Sequence, residues 1–178
     1  MKPPIIFLDF DDVIALNTTY GGYDVISPGA KPADLFIKLF HPPAVALLLN
    51  LVKVHNPRVV ITTSWLRFFE RDGMEQLLNK TSMPAIAVAL HDVWEAPANR
   101  GMTRLEQIDV WLARHHSGEA YVILDDFLSG TGLPKSSHDL DSRVVFCAEG
   151  IGLHAGHLLQ INNALTRPSL KLGQRSIY

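Results

Sequence analysis

Two aspartates that follow the first apolar run of the chain are the earliest side chains able to do chemistry. The run Ile5–Leu8 is wholly apolar, and Asp9 and Asp11 come directly after it, separated by one residue. A pair of carboxylates beside a buried strand is costly unless a cation or a proton compensates their charge. A hard divalent metal is the simplest solution, and Mg²⁺ prefers oxygen ligands and needs only a few protein groups. These residues therefore predict a magnesium site.

Further polar side chains follow two other apolar runs. Ser64 ends the β-branched segment 58–64, and Asp125 and Asp126 follow the apolar run 121–124. Continuous apolar runs are typical of parallel strands that are covered on both faces. Ligands of such sheets bind beyond the carboxyl ends of the strands. We therefore expect these three side chains to meet the first aspartate pair at one edge of a sheet.

This set of residues predicts phosphoryl transfer. With a metal neutralising the phosphate, an oxygen of Asp9 can attack phosphorus, while Asp11 protonates the leaving oxygen and later activates water. Ser64 would hydrogen-bond a phosphoryl oxygen. A cation should hold the phosphate, and Arg104 is the best placed candidate, with Arg100 as the alternative. The predicted catalytic residues are Asp9, Asp11, Ser64 and Arg104, and the predicted metal ligands are Asp9, Asp11 or a carbonyl beside it, and Asp125 or Asp126.

The apolar runs alternate with segments of helical periodicity. Predicted helices cover Pro42–His55 and residues 73–80, 103–115 and 156–166, and further predicted strands cover 85–90 and 143–147. This alternation predicts a Rossmann-like α/β fold, a three-layer sandwich around a mostly parallel central sheet. The length favours one domain over residues 1–166, with at most a small cap insertion within 14–40 and a C-terminal tail over 167–178.

Composition and charge exclude several other classes of protein. The chain has 178 residues and a formal net charge of −2, which gives no overall attraction to nucleic acid. Cys147 is the only cysteine, so an internal disulfide and a cysteine-rich zinc site are excluded. The N-terminus turns acidic too early for a signal peptide, and no apolar run approaches the ~20 residues of a membrane span. We expect a cytoplasmic protein that neither enters nor crosses a membrane.

These residues, in this order, resemble the haloacid-dehalogenase-like (HAD) phosphotransferase superfamily. Its four motifs are an apolar strand with Asp-x-Asp, a Thr or Ser ending the next strand, a basic residue opening a helix, and an acidic pair after another strand. Here they are residues 5–11, Ser64, Arg104 and the pair Asp125-Asp126. The resemblance implies a HAD-like fold with a minimal cap, Mg²⁺ as cofactor, and phosphomonoester hydrolysis through an aspartyl-phosphate.

Other segments resemble one compact branch of that superfamily, some of whose members are associated with RNA repair. These segments are residues 62–65 (Thr-Thr-Ser-Trp), the helix that starts near Arg104, residues 122–126, and Gly152-Leu153. The chain departs from the usual pattern in having Asp12 in place of Gly, Leu66 in place of Arg, and Arg104 in place of Lys. Arginine still supplies a fixed charge and bidentate donors. An extra carboxylate at Asp12 predicts a strained backbone and a change in metal binding or substrate choice.

The segments in which the superfamily inserts cap domains are short here. Neither the segment between Asp12 and Pro42 nor the one between Ser64 and Arg104 could hold a separate domain of about 100 residues. The predicted open site suits a phosphorylated small molecule, a nucleotide, a nucleic-acid end or another bulky substrate. The residues predicted to contact it are Asp12, Ser64, Trp65, Arg67 and Arg100, with packing as the competing role for Trp65. The sequence indicates no oligomeric state.

Three other functions fit parts of the pattern. A signalling receiver domain also combines an acidic pair, a hydroxyl and a basic residue, but its acceptor aspartate should end a middle strand. An inactive relative that only binds phosphate or metal is supported by the departures at Asp12 and Leu66. A phosphotransferase that uses another acceptor, or a dehalogenase, would retain the same nucleophile. The acidic pair favours phosphate, since dehalogenation needs no metal.

Overall fold

The computed structural model describes residues 2–16 and 18–169, which form a three-layer α/β structure. Its strands are β1 (Ile5–Leu8), β2 (Arg58–Ile61), β3 (Leu90–Glu95), β4 (Tyr121–Asp126) and β5 (Val144–Cys147). Its helices are α1 (Gly22–Ile26), α2 (Leu35–Lys38), α3 (Pro42–His55), α4 (Arg71–Lys80), α5 (Pro84–Ala89), α6 (Arg104–His115), α7 (Ser137–Leu140) and α8 (Leu158–Thr166), with 3₁₀ turns at Ser64–Arg67 and Ala155–His157. The strands form one parallel sheet in the order β3-β2-β1-β4-β5, which confirms the predicted fold class.

Both faces of the central strand β1 are covered by helices. Ile6 and Leu8 belong to the larger apolar core, which includes residues of α3, α4, α5 and α8. Ile5 and Phe7 belong to a second core with residues of α6. The ring of Phe7 meets that of Trp111 edge-on, with centroids 5.2 Å apart. Burial on both faces explains why this strand is a continuous apolar run.

The register of the central strands brings their carboxyl ends to one level. Leu8 pairs with Ile61 of β2 and with Leu124 of β4. Asp9 and Asp125, the next residues along, therefore lie side by side, and the N–H of Asp9 donates to the carbonyl of Leu124 at 3.0 Å. The pairing of three neighbouring strands thus gathers acidic and hydroxyl residues at one edge of the sheet.

The prediction of a strand over residues 85–90 is wrong. Pro84–Ala89 form α5, and the edge strand β3 starts only at Leu90. Proline is well suited to the first turn of a helix, and the alanines that follow have the highest helix propensity. A short apolar run cannot be assigned to helix or strand by periodicity alone.

Short helices also form in two segments where the sequence predicted no helix. α1 and α2 lie within the predicted cap region 14–40, and α7 lies within residues 129–141. The division into one domain over 1–166 and a tail over 167–178 remains a prediction, and residues 170–178 lie outside the described part of the chain. In the described ranges, no helix combines the length and the apolar character that crossing a bilayer requires.

Candidate active site

Three buried carboxylates, Asp9, Asp125 and Asp126, form the centre of the site. Asp9 follows β1, and the other two are the last residues of β4, which extends two residues beyond its predicted end. Their exposed fractions are 1%, 0% and 3%. One oxygen from each carboxylate lies within 4.8 Å of the other two. The fold therefore concentrates three potential negative charges where water is largely excluded.

Arg104, the first residue of α6, bridges two of these carboxylates. Its Nε donates to Oδ2 of Asp125 at 2.8 Å, and its Nη2 donates to Oδ1 of Asp9 at 3.2 Å. The start of α6 is fixed by a capping box in which the Thr103 hydroxyl accepts from the N–H of Glu106, while the Glu106 carboxylate accepts from the N–H of Thr103. This cap sets the position from which the guanidinium enters the site.

Burial raises the pKa of both carboxyls that Arg104 contacts. The pKa of Asp9 lies well above its ordinary value because burial disfavours the charged form and Asp125 repels it, which Arg104 offsets only in part. Burial also raises the pKa of Asp125 from 3.8 to about 7, against the attraction of Arg104 and with added repulsion from Asp126. With one guanidinium for three carboxylates, the cluster needs a further cation to be fully ionised at neutral pH.

Two oxygens indicate where such a cation fits. Oδ2 of Asp9 and Oδ2 of Asp126 are buried and have no hydrogen-bond partner among the described residues. By contrast, Oδ1 of Asp126 accepts from two N–H groups of the following loop, and both oxygens of Asp125 accept hydrogen bonds, from the N–H of Asp126 and from Arg104. Unpartnered buried carboxylate oxygens are costly, and such oxygens are the ligands that Mg²⁺ prefers. The donor set therefore fits a hard divalent cation.

Asp11 is not one of the three clustered acids and points toward the turn that follows β2. The indole Nε1 of Trp65 donates to its Oδ1 at 3.1 Å and its Oδ2 at 3.0 Å. The hydroxyl of Ser64 lies 3.4 Å from the same Oδ2. Asp11 is half-buried, whereas Ser64 is exposed. This places an acid and a hydroxyl on the solvent side of the buried cluster.

Three consecutive hydroxyl residues follow β2, and sequence reasoning selected only the last. β2 ends at Ile61, so Ser64 opens a 3₁₀ turn instead of ending the strand. The Thr63 hydroxyl accepts from the N–H of Trp65 at 3.4 Å. Thr62 was missed: its Oγ1 is buried without a partner among the described residues, and its N–H donates to the carbonyl of Leu8, level with the first aspartate. The pairing of β1 with β2, had it been predicted, would have placed Thr62 beside the end of β1 and so identified it.

Asp12 holds the loop after β1 against the loop after β5. It has a left-handed backbone, with φ of 53°, a conformation that glycine adopts more easily. Its Oδ1 accepts from the N–H of Gly150 at 2.9 Å. Nearby, the N–H of Leu153 donates to the carbonyl of Val13 at 2.8 Å. The expected unusual backbone is therefore present, and the carboxylate is used to join two loops.

Gly152→Ala is expected to lower the free energy of unfolding by about 2–4 kcal/mol, because it adds left-handed strain and a close contact. Gly152 has φ of 71°, and a Cβ there would lie 2.8 Å from the carbonyl oxygen of Val13. Gly150→Ala is the matched control, since Gly150 has φ of 69° but nothing within 4 Å of its Cβ position. It should lose only about 1–2 kcal/mol. Equal losses in urea unfolding would contradict tight packing of the two loops.

A cleft of about 580 Å³ opens beside the acid cluster. Ser64, Arg67 and Arg104 line it, together with Gln107 and Leu128. The Nη2 of Arg67 donates to the hydroxyl of Tyr23 in α1 at 2.9 Å. The cleft thus leads from solvent to the guanidinium that bridges the carboxylates.

The three other residues predicted to contact substrate, Asp12, Trp65 and Arg100, lie outside this lining. Trp65 is buried with 3% exposure, as its competing packing role requires. Arg100 is exposed in the loop before α6, whereas Arg104 enters the acid cluster. Of the two candidate cations, Arg104 is therefore the one in contact with the clustered carboxylates.

Comparison with known proteins gives a match to one family. Residues 5–158 match the family described as "HAD domain in Swiss Army Knife RNA repair proteins". No curated protein and no solved structure matches the chain. The matched region contains all five strands, the three clustered acids and Arg104. On this match over most of its length, the chain belongs to the family of HAD domains found in Swiss Army Knife RNA repair proteins.

Proposed function

We propose that this HAD domain is a Mg²⁺-dependent phosphomonoester hydrolase that works through an aspartyl-phosphate on Asp9. Its family supports a HAD-type phosphoryl-transfer role. The observation that carries the finer proposal is the buried acid cluster, in which Arg104 binds Asp9 and Asp125 while Oδ2 of Asp9 and Oδ2 of Asp126 lack a partner among the described residues. Buried charge arranged in this way is expected at a site built for a metal and a phosphate.

Asp9 and Asp126 would hold the metal through their unpartnered oxygens, and Asp125 would hold Arg104. Bound there, Mg²⁺ would neutralise phosphate oxygens and so admit an anionic nucleophile. Arg104 donates to Oδ1 of Asp9 at 3.2 Å and would add a positive charge beside a phosphate that reaches Asp9. Ser64, in the cleft, and the buried Thr62 are the hydroxyls proposed to donate hydrogen bonds to phosphoryl oxygens.

The two chemical steps use Asp9 and Asp11. In the first, an oxygen of Asp9 forms a bond to phosphorus while the ester P–O bond breaks, and Asp11 transfers its proton to the leaving oxygen. In the second, Asp11 takes a proton from water, whose oxygen bonds to phosphorus as the Asp9–phosphorus bond breaks. Phosphate and an alcohol are the products, and both carboxyl groups return to their starting state.

The shape of the site favours a bulky phosphate ester. The cleft of about 580 Å³ is bordered on one side by the short helix α1, through the contact of Arg67 with Tyr23. We propose a nucleotide or a nucleic-acid end as substrate, a proposal that the RNA repair association in the family description supports. We also propose a reducing, cytoplasmic setting, which the single cysteine favours.

The proposal is tested by phosphate release from a panel of phosphate esters that includes oligonucleotides with terminal phosphates. Reactions run with Mg²⁺ and with a chelator, and acid quenching during turnover should trap a hydroxylamine-sensitive phosphoryl group on the peptide that contains Asp9. Metal-dependent release with this label is the expected result. A folded protein that releases no phosphate from any ester would favour the inactive relative, and a persistent label without turnover would favour a receiver-like role.

Mg²⁺ is expected to stabilise the fold more as the pH rises from about 5.5 to about 8. Because the pKa values of Asp9 and Asp125 are raised in the fold, their contribution to stability is full below the ordinary value of 3.8 and is lost as the pH rises through the raised values, about 7 for Asp125. A metal that displaces a bound proton gains about 1.4 kcal/mol of binding free energy per pH unit. The difference in Tm with and without Mg²⁺ measures this at each pH.

Asp126→Asn is the informative variant in that experiment, with Asp72→Asn as its control. Asp126 supplies one of the two carboxylate oxygens that lack a partner among the described residues, whereas Asp72 is an exposed acid of α4. The first variant should lose most of the Mg²⁺ stabilisation and the second should retain it. If Mg²⁺ stabilised both variants equally, the metal would bind at another site.

A further inference from the structure

The indole of Trp65 is hydrogen-bonded to the carboxylate assigned as acid and base. Its Nε1 lies 3.1 Å from Oδ1 and 3.0 Å from Oδ2 of Asp11, so one donor contacts both oxygens. The ring is 3% exposed, and water therefore has little access to compete for this donor. The hydroxyl of Ser64 also faces Oδ2, but at 3.4 Å and from an exposed position. The hydrogen bond from the indole is therefore shorter and better shielded from water than the one from Ser64.

The ring that carries this N–H is itself held from several sides. Trp65 meets Phe10 edge-on with centroids 5.3 Å apart and stacks on Phe40 at 5.8 Å. On another side lies Gly22 of α1, where a Cβ would come within 2.8 Å of Cε2 and 3.0 Å of Nε1 of the indole. Only glycine at position 22 leaves the indole where it is. Because the ring is tightly packed, the indole N–H has a fixed position relative to the carboxylate.

We infer that Trp65 is a positioning residue that holds Asp11 where it can transfer a proton to the leaving oxygen of the substrate. The inference rests on the proposed function. A general acid must lie within hydrogen-bond reach of the atom that it protonates. Asp11 is on the loop after β1 and half-buried, so its carboxylate needs a partner to fix its plane. Trp65 supplies such a partner from the turn after β2 and lies outside the lining of the cleft.

The leaving group of the substrate separates this role from simple packing. p-Nitrophenolate leaves without being protonated, whereas the benzyl alkoxide of benzyl phosphate must receive a proton as its P–O bond breaks. The two esters are similar in size and both are aromatic, so they probe proton transfer more than fit. In the first chemical step, which kcat/KM reports, a residue that positions the acid should matter for benzyl phosphate and not for p-nitrophenyl phosphate.

Trp65→Phe removes the N–H and retains an aromatic ring. We expect kcat/KM, which reports the steps up to release of the alcohol, to fall about 10–100-fold for benzyl phosphate and less than about threefold for p-nitrophenyl phosphate, since general acids contribute about 10²–10⁴-fold. The later hydrolysis of the aspartyl-phosphate uses Asp11 as a base for both esters, so kcat is not the quantity compared. Trp111→Phe is the matched control, because Trp111 is equally buried and its Nε1 donates to the carbonyl of Val93 at 3.0 Å, in the core under α6. Trp111→Phe should change kcat/KM for both esters by the same factor. Asp11→Asn should reproduce the selective loss.

Gly22→Ala tests the same contact without altering Trp65, and it remains available if Trp65→Phe does not fold. The added Cβ displaces the indole, so the loss should again be larger for benzyl phosphate. In ¹H–¹⁵N spectra, Asp11→Asn should shift the indole N–H signal of Trp65 and leave those of Trp94 and Trp111 in place.

Several results would overturn the inference. Equal losses of kcat/KM for both esters in Trp65→Phe and Gly22→Ala, or no loss for either, exclude a positioning role while the native enzyme still turns over. An unmoved Trp65 signal in Asp11→Asn excludes the hydrogen bond itself. If the folded native chain hydrolyses neither ester nor any member of the wider panel, the proposed function fails, and the role of Trp65 fails with it.

Discussion

Asp9→Asn is expected to abolish phosphate release and, in the same protein, to make the metal-free fold more stable. Removing the nucleophile leaves no oxygen anion to attack phosphorus, so kcat should fall by at least ~10⁴-fold. Asparagine also removes one of the three clustered carboxylates, two of which contact the Arg104 guanidinium. Because burial and repulsion from Asp125 raise the pKa of Asp9, its ionised form destabilises the metal-free protein at pH 8. We expect the variant to gain roughly 1–2 kcal/mol of unfolding free energy there.

The measurement combines turnover with urea unfolding at pH 8, in a chelator and in Mg²⁺. The variant should be more stable than the native chain in the chelator. It should gain less from Mg²⁺, since it loses one of the two carboxylates whose oxygens lack a partner among the described residues. Asp72→Asn, an exposed substitution on α4, controls for the loss of a charge as such. A variant that is less stable than the native chain without metal would contradict the charge imbalance. Full activity would remove Asp9 from the mechanism.

The parts of the fold that sequence could predict have strong local signals. The run Ile5–Leu8 is apolar throughout because its strand is buried on both faces. The start of α6 is specified by the capping box at Thr103 and Glu106, which positions Arg104. The prediction of a strand over residues 85–90 was wrong because alternating alanine and branched apolar residues satisfy the helix and strand patterns equally well over so short a length.

The site was harder to predict than the sheet because its details depend on contacts between distant segments. Sequence could place Asp125 and Asp126 together but could not rank them. In the structure Asp125 binds Arg104, while Asp126 has the unpartnered oxygen. Successive residues of a strand face opposite ways, and the neighbours on each side come from other elements. The buried hydroxyl of Thr62, which has no partner among the described residues, could likewise be recognised only from the pairing of β1 with β2.

The contacts of Trp65 depend even more on tertiary structure. Its place next to Ser64 in the sequence indicated a residue at the substrate cleft. The 3₁₀ turn that begins at Ser64 instead directs the ring into the core, against Phe10 and Phe40, with its N–H toward Asp11. A buried tryptophan needs a hydrogen-bond partner for that N–H, and here the partner is a carboxylate of the site. Packing and function are therefore not alternatives for this residue.

Arg104→Met is expected to have the largest effect on stability of any single substitution in the site. It would leave Asp9 and Asp125 buried at 1% and 0% exposure without their guanidinium. Breaking a buried ion pair from one side typically costs about 3–5 kcal/mol. The cost should grow as the pH rises, because Arg104 opposes the raised pKa of both acids. Mg²⁺ should restore part of the loss by supplying positive charge at the same cluster. Turnover should still fall, because the metal cannot replace the donor at Oδ1 of Asp9.

Arg100→Met and Arg104→Lys are the controls that make this result specific. Arg100 is exposed in the loop before α6, so its loss should leave unfolding in urea unchanged and test only whether it contacts substrate. Lysine at position 104 retains the charge but not the planar set of donors that reaches Asp125 at 2.8 Å and Asp9 at 3.2 Å together. The stability and the kcat of Arg104→Lys should therefore lie between those of the native chain and those of Arg104→Met. If Arg100→Met abolished turnover while Arg104→Met kept it, the phosphate-binding cation would be Arg100, and Arg104 would serve only to balance buried charge.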